Sequence, residues 1–136
     1  MTDYADVEPF ELVDRIFGLN ALLVTRGASE PPNVMTIGWW QLGVLWSKPV
    51  MTVPVRDDRY SYELLNKHPE FTVNFPTPEM EEVVMMCGTA SGRDTDKWKE
   101  GPLTPEEAEE VSVPLIAECP VRYECRVIHS AEAAPV

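Results

Sequence analysis

The chain has 136 residues and carries 23 acidic against 11 basic side chains, a formal net charge of −12. This length suits one domain and is too short for two ordinary ones, so we expect a single domain over residues 1–136. A surface this negative repels phosphate backbones and anionic lipids, which argues against nucleic acid or a membrane as the main partner. It still allows a small phosphorylated ligand, provided that the few cations gather at one site.

The three cysteines indicate neither a disulfide framework nor a metal site. Cys87, Cys119 and Cys125 form no CxxC pair, and only two histidines accompany them. We expect reduced thiols and no metal. The N-terminus carries acids where a signal peptide needs a basic and then an apolar segment. No apolar run approaches the length of a membrane span, so we expect a cytoplasmic protein.

Five apolar segments, rich in branched residues or alternating in polarity, predict strands. They are 19–25, 34–40, 50–55, 71–75 and 116–128. Because Pro54 lacks a backbone N–H, the third strand is expected at an edge or with a bulge. Alternation places four side chains of the last segment on one face: Val121, Tyr123, Cys125 and Val127.

Two helices are predicted between these strands. Asp57 and Asp58 precede RYSYELLNK, and an aspartate can accept hydrogen bonds from the free N–H groups of a helix start. Thr77 and Pro78 open the second helix, which we expect to end at Gly88.

Further short helical pieces are predicted in the second half of the chain. One covers residues 94–100, and a capping box at Thr104 and Glu107 predicts one or two turns after it. Strands with short helices between them predict a mainly β chain, either of the α+β class or a small barrel. Neither GxGxxG nor GxxxxGK[ST] occurs, so the standard phosphate loops are excluded.

The first group of residues suited to ligand binding lies in the second predicted strand. It comprises Asn33, Thr36, Trp39 and Trp40. Alternation points the two tryptophans to opposite faces, so one can pack in the core while the other stands at a pocket and stacks on a planar ring. A core aromatic plus an interface aromatic explains the same pattern, and the residues alone favour that interpretation.

The second group surrounds the start of the first predicted helix. It comprises Arg56, Arg59, Ser61 and Tyr62. A helix N-terminus offers free N–H groups and partial positive charge, and arginine adds a two-pronged donor, so the group could hold a phosphate. Ion pairing of both arginines with the neighbouring aspartates on a solvated surface is an equally weighted alternative.

The third group is the segment CGTASGRDTDKW at 87–98, with Ser91, Arg93 and Lys97. Its small residues can bring backbone donors close to a ligand. A helix end followed by a new helix start at Asp94 is the alternative. Four of the eleven cations fall in this group and the second one, which favours a local anion site.

Taken in order, these segments resemble the flavin reductase-like, FMN-binding split-barrel family, particularly its flavoredoxin branch. The resemblance is carried by NVMTIGWW at 33–40, RDDRYSYELL at 56–65, EFTVNFP at 70–76, CGTASGRDTDKW at 87–98, LT at 103–104 and PLIAECPVRYECRVI at 114–128. One such motif would be weak evidence for the family, but several motifs in the same order are a specific signal.

The resemblance implies a split β-barrel, usually a homodimer, with FMN near the subunit interface. Positions beside the flavin ring or ribityl chain fall to Asn33, Thr36 and Trp40, with Trp39 the alternative one register step away. Phosphate or ribityl contacts fall to Arg59, Ser61 and Tyr62. The remaining wall falls to Ser91, Arg93 and Lys97, with Lys97 approaching the pyrimidine side of the ring.

The implied activity is redox chemistry through bound FMN. NAD(P)H would deliver hydride to the flavin, and a small molecule or a protein would accept the electrons, with no catalytic side chain required of the protein. A flavoredoxin-type electron carrier without NAD(P)H turnover and a non-catalytic flavin-binding dimer remain open. Family members usually continue beyond the position of Val136, so we expect the barrel-closing strands to be missing, through truncation or in a short variant that completes its sheet by dimerisation.

Overall fold

The computed structural model describes residues 4–132. Within this range the elements are α1 (Val13–Ile16), β1 (Ala21–Thr25), β2 (Asn33–Ile37), β3 (Gln41–Leu45), β4 (Lys48–Thr52), α2 (Tyr60–Lys67), β5 (Glu70–Phe75), a 3₁₀ helix (Pro78–Met80), α3 (Glu81–Thr89), α4 (Lys97–Glu100), β6 (Pro105–Glu106), β7 (Leu115–Ile116) and β8 (Val121–Arg126). The sequence AEAAPV at 131–136, interpreted as a frayed or cut end, lies largely outside the described residues.

The main sheet contains four antiparallel strands in the order β2-β1-β5-β8. In the middle of the sheet, Leu23 pairs with Met35 on one side and with Val73 on the other. β1 is buried along its whole length, as its apolar sequence requires for a central strand. β2 and β8 form the two edges, so the sheet does not close on itself.

The sheet separates two apolar cores, because successive side chains of a strand point to opposite faces. On one face Leu22 and Val24 pack with Cys87 and the segment that contains Val113. On the other face Leu23 and its neighbours pack around Phe75 and the inward side chains of β8. The prediction that Val121, Tyr123, Cys125 and Val127 share one face is confirmed, since all four side chains pack against this second core, Val127 from just beyond the end of β8.

The structure corrects the second and third predicted strands. β2 ends at Ile37 and does not reach Trp40. The third strand is placed at Lys48–Thr52, and Pro54 lies beyond it. It pairs with β3, which was not predicted, in a separate two-stranded hairpin.

No turn signal in the sequence marks this hairpin. Its connecting residues, Trp46 and Ser47, have positive φ angles of 47° and 62°. Two-residue hairpin turns of this kind normally use Asn-Gly or Gly, which adopt positive φ without steric cost. The pairing of β3 with β4 therefore overrides the local preference of these two residues.

The helices begin at other residues than predicted. α2 starts at Tyr60 and its N-cap residue is Arg59, whose side chain accepts no capping bond, so neither of the two aspartates is the N-cap. α3 continues one residue past Gly88 and follows a 3₁₀ turn with proline in its first position. The helix expected over 94–100 covers only its last four residues, where the Asp96 side chain accepts from the Lys99 N–H.

The predicted helical turns after Thr104 are wrong. Pro105 pairs with Ile116 in a short β6–β7 ladder, and the acidic stretch that follows is irregular. The backbone N–H groups of Glu109 and Glu110 donate to the Glu124 carboxylate on β8. These tertiary bonds satisfy the donors that a helix would otherwise have used.

Glu70 anchors the same irregular stretch to the start of β5. Its carboxylate accepts from the Ser112 N–H at 3.0 Å, lies 2.9 Å from His68 Nε2 and accepts from Arg126 Nε at 3.2 Å. The Ser112 N–H is the largest of the influences that lower the pKa of Glu70 to about 2, and the side chains of His68, Ser112 and Arg126 add to it.

Glu70→Gln is expected to lower the free energy of unfolding by about 1–3 kcal/mol at pH 7. Because the folded-state pKa of Glu70 lies below its ordinary value of 4.5, the stabilisation is complete above that value and is lost as the pH falls towards 2. Urea unfolding at pH 7 and pH 3 should therefore show a smaller difference between variant and wild type at pH 3. Glu107→Gln, on the same stretch, is the control, and an equal effect of both variants would contradict the assignment.

Candidate functional site

A cleft of about 170 Å³ opens beside the edge strand β2. It lies between the N-terminus of α2 and the segment 87–97 that leads from α3 to α4. We call it the β2 cleft. The lining side chains that matter chemically are Asn33, Arg59, Tyr60, Ser91, Arg93 and Lys97.

Lys97 places a buried positive charge at this cleft. Lys97 is only 3% exposed, and its Nζ donates to the Cys87 carbonyl at 3.0 Å. No carboxylate among residues 4–132 lies within ion-pair distance of it. Burial lowers the pKa of Lys97, the Cys87 side chain acts in the opposite direction, and Arg59 adds to the lowering. A buried ammonium without a counter-ion favours an anionic ligand.

The N-terminus of α2 adds a second source of positive potential. Arg59 is its N-cap with an extended backbone, and the Arg59 side chain does not cap the first turn. The free N–H groups of a first turn and the helix dipole both attract anions. Asp58 also lines the cleft and lies 3.9 Å from Arg59, which offsets part of this charge.

Tight packing holds the two sides of the cleft together. The buried Asn33 Nδ2 donates to Ser61 Oγ at 3.1 Å. The Ser61 hydroxyl therefore positions the side chain of Asn33, which lines the cleft. A Cβ atom on Gly92 would lie 2.0 Å from Asn33 Oδ1 and 2.9 Å from Tyr60 Cδ2. Only glycine lets the 91–93 loop approach β2 and α2 this closely.

Arg93 is tied to α2 rather than left free in the cleft. Its guanidinium forms an ion pair with Glu63 and lies 5.3 Å from the centroid of the Tyr60 ring. Its backbone N–H donates to Ser91 Oγ at 3.2 Å. The segment singled out for its small residues and cations therefore forms one wall of the cleft.

Several of the predicted ligand-binding residues are not in the lining of the cleft. Thr36 Oγ1 donates to the Val84 carbonyl of α3, and its side chain packs on Gly88. Tyr62 is partly exposed on α2. Arg56 pairs with Asp58 at 3.5 Å on the exposed surface, as the solvated alternative for this arginine predicted.

The two tryptophans occupy different environments, in line with the prediction that one packs in the core while the other stands at the surface or at a pocket. Trp39 is 81% exposed. Trp40 stacks edge-on against Phe75 with ring centroids 5.0 Å apart, and its Nε1 donates to the Leu19 carbonyl at 2.8 Å. Trp40 thus belongs to the second core, and a place beside a flavin ring stays a prediction for both residues.

Tyr60 lines the cleft and Glu63 pairs with the lining residue Arg93, although the sequence analysis did not single out either of them for the site. Both stand on α2 and meet Arg93, which lies 30 residues after Glu63 and 33 after Tyr60. No local pattern signals a contact of this range. The close approach of Gly92 to Asn33 is likewise not signalled by the local sequence, since only the folded chain brings the two residues together.

Residues 4–132 contain neither a metal-binding cluster nor a helix suited to span a membrane. Within residues 4–132, no group of three or more His, Cys, Asp or Glu side chains is arranged to hold a metal ion. None of the helices in this same range combines the length and apolar character that crossing a bilayer requires. The three cysteines are free thiols, and burial raises the pKa of Cys87 and of Cys119.

The chain belongs to the family described as the flavin reductase-like domain, whose model matches residues 14–135. A protein of Archaeoglobus fulgidus described only as uncharacterized is 34% identical to it over 125 residues, which cover 92% of this chain and 70% of that protein. The resemblance drawn from the ordered motifs is therefore confirmed.

Solved structures of similar proteins give the same result for the fold. The flavoredoxin of Desulfovibrio vulgaris (Miyazaki F) has a TM-score of 0.79 and 27% identity, over 85% of this chain and 62% of its own. A flavoredoxin from Methanosarcina acetivorans has a TM-score of 0.75 and 27% identity, over 97% and 68%. The FMN-binding domain of a flavin reductase-like enzyme from Shewanella baltica OS155 shares the fold, with a TM-score of 0.79 and 20% identity over 93% of this chain and 66% of its own. The mainly β, split-barrel prediction is confirmed, and the chain spans about two thirds of the length of these proteins.

Proposed function

We propose that this protein binds FMN in the β2 cleft and is an FMN-dependent oxidoreductase of the flavin reductase type. The single observation that carries the proposal is the buried Lys97 ammonium, which faces the cleft and has no carboxylate partner among the described residues. Family membership and the flavoredoxin neighbours support FMN as the anion that completes it.

The side chains of the cleft fit FMN. Arg59 and the uncapped start of α2 suit a phosphate, while Lys97 suits the electron-rich pyrimidine edge of a flavin. A volume of about 170 Å³ is below the roughly 300–1,000 Å³ of sites that enclose a whole drug-sized ligand. The cleft therefore holds part of the cofactor and leaves the rest open to a redox partner.

Bound FMN supplies the hydride and electron chemistry, whereas the protein supplies binding, orientation and electrostatics. A fixed cation stabilises an anion more than a neutral molecule. Lys97 therefore raises the reduction potential of a ligand that gains negative charge when it is reduced. No side chain of the cleft is required as a general acid or base.

NAD(P)H is the proposed electron donor, and a flavin or another small molecule the acceptor. The flavoredoxin neighbours favour a second candidate, an electron carrier between proteins. Anaerobic mixing of the FMN-loaded protein with NADH or NADPH distinguishes the two. Bleaching of flavin absorbance within seconds supports the reductase, whereas reduction only by dithionite or by a reduced protein supports the carrier.

We also propose a homodimer formed through the β3–β4 hairpin. Val44, Leu45 and Trp46 are exposed at its tip, Trp46 to 87%, and an isolated two-stranded hairpin is marginal in water. No acidic residue occurs from 31 to 56. A second copy of a chain with net charge −12 can therefore approach this surface with the least repulsion.

Trp46→Ser is expected to shift the protein from dimer towards monomer by removing apolar area from this contact. Sedimentation velocity at micromolar protein measures the shift. Phe17→Ser is the control, since Phe17 is equally exposed but lies outside the hairpin. A wild-type monomer, or a dimer that Trp46→Ser leaves intact, would contradict the proposal.

We further propose that the protein is cytoplasmic, because its free thiols fit a reducing compartment.

A further inference from the structure

We propose that Glu63 sets the affinity of the β2 cleft for its anionic ligand by holding the Arg93 guanidinium until the ligand takes its place. The inference rests on the proposed function, because the ligand in question is FMN. It assigns to Glu63 a positioning role that acts through Arg93. Glu63 itself does not line the cleft.

The geometry places Arg93 between two possible anionic partners. Its guanidinium pairs with Glu63 of α2, which is outside the lining of the cleft, while Arg93 itself is part of that lining. The Tyr60 ring, 5.3 Å from the guanidinium carbon, lines the cleft as well. The arginine therefore rests on the cleft wall with its charge directed to a carboxylate outside it.

In this proposal the exchange is a rotation of the arginine side chain. The backbone of Arg93 is held by the bond from its N–H to Ser91 Oγ, and Glu63 stands within helix α2. The side chains of Arg93 and Glu63 are 42% and 49% exposed, and ion pairs in this setting are weak. A phosphate carries more charge than a carboxylate and accepts two parallel bonds from arginine, so it can displace Glu63.

The Glu63→Gln variant tests the proposal through FMN binding, followed by the change in flavin fluorescence on titration. Release of Arg93 from its competitor is expected to tighten binding about three- to fivefold, the equivalent of at most about 1 kcal/mol. Riboflavin, which lacks the phosphate, should bind with unchanged affinity. Glu82→Gln, which removes an exposed helical acid outside the cleft, is the control for net charge and should change neither affinity.

A double-mutant cycle separates action through Arg93 from simple repulsion of the ligand by Glu63. In an Arg93→Gln background, Glu63→Gln should no longer tighten FMN binding. An equal gain in FMN affinity from Glu63→Gln in the wild-type and Arg93→Gln backgrounds would overturn the proposal. Weaker FMN binding by the Glu63→Gln single variant than by wild type would overturn it as well. FMN binding with no effect of Glu63→Gln overturns this inference only, whereas failure of wild type to bind FMN overturns the proposed function with it. Urea unfolding of each variant confirms that it is folded.

Discussion

Replacement of Lys97 by methionine is expected to weaken FMN binding about 10- to 150-fold, the loss of a charge-assisted hydrogen bond of about 1.5–3 kcal/mol. Methionine keeps the apolar stem of the side chain and removes only the charge. The reduction potential of any flavin that remains bound should fall as well, because the cation stabilises the reduced, more negative ligand. Fluorescence titration and a spectroscopic redox titration measure the two effects.

Lys99→Met is the matched control, because Lys99 lies two residues further along in the exposed part of the same short helix. It removes the same charge and should leave FMN affinity unchanged. The stability of Lys97→Met should change by no more than about 1 kcal/mol, since loss of the bond to the Cys87 carbonyl opposes relief of the buried charge. Equal FMN affinity of wild type and Lys97→Met would remove Lys97 from the site.

Phe75→Ala is expected to lower the free energy of unfolding by about 3–5 kcal/mol, a large part of the total stability of a domain. Phe75 is buried at the end of β5 and makes edge-on contacts with Trp40 and Tyr123, at centroid distances of 5.0 and 6.1 Å. Its removal leaves a cavity where β5, β8 and the segment leading to the hairpin meet. Urea denaturation followed by circular dichroism measures the loss.

Phe17→Ala is the control for this prediction, because Phe17 is 82% exposed and its removal should change stability by less than about 0.5 kcal/mol. If Phe75→Ala fails to fold, Phe75→Leu tests the same contact at a smaller expected loss of about 1.5 kcal/mol. A loss below about 1 kcal/mol for Phe75→Ala would contradict the central place given to this ring.

The main sheet could be predicted because its strands carry strong local signals. β1 is a run of mostly apolar residues, β5 alternates apolar with polar residues, and alternation along the last strand correctly places Val121, Tyr123, Cys125 and Val127 on one face. The β3–β4 hairpin was missed because its turn uses Trp46 and Ser47 at positive φ, which ordinary turn preferences exclude. The stretch after Thr104 was taken for helix because its capping pattern is local, whereas the bonds to Glu124 that keep it irregular are tertiary.

The candidate site was predictable as a set of segments but not as a set of contacts. The grouping of cations near α2 and in 87–98 led to Arg59, Arg93 and Lys97, which line one cleft. The sequence could not show that Lys97 is buried without a carboxylate or that Glu63 holds Arg93. Both facts depend on how α2 and the 91–93 loop pack across the edge of β2.

The most direct test of the account is the number of FMN molecules that the purified protein retains. The protein is incubated with excess FMN at micromolar concentration, passed through gel filtration and examined by visible absorption. About one flavin per chain is expected, with a dissociation constant below about 1 µM. Absence of retained flavin under these conditions would place binding weaker than about −8 kcal/mol and would contradict the assignment of the β2 cleft as an FMN site.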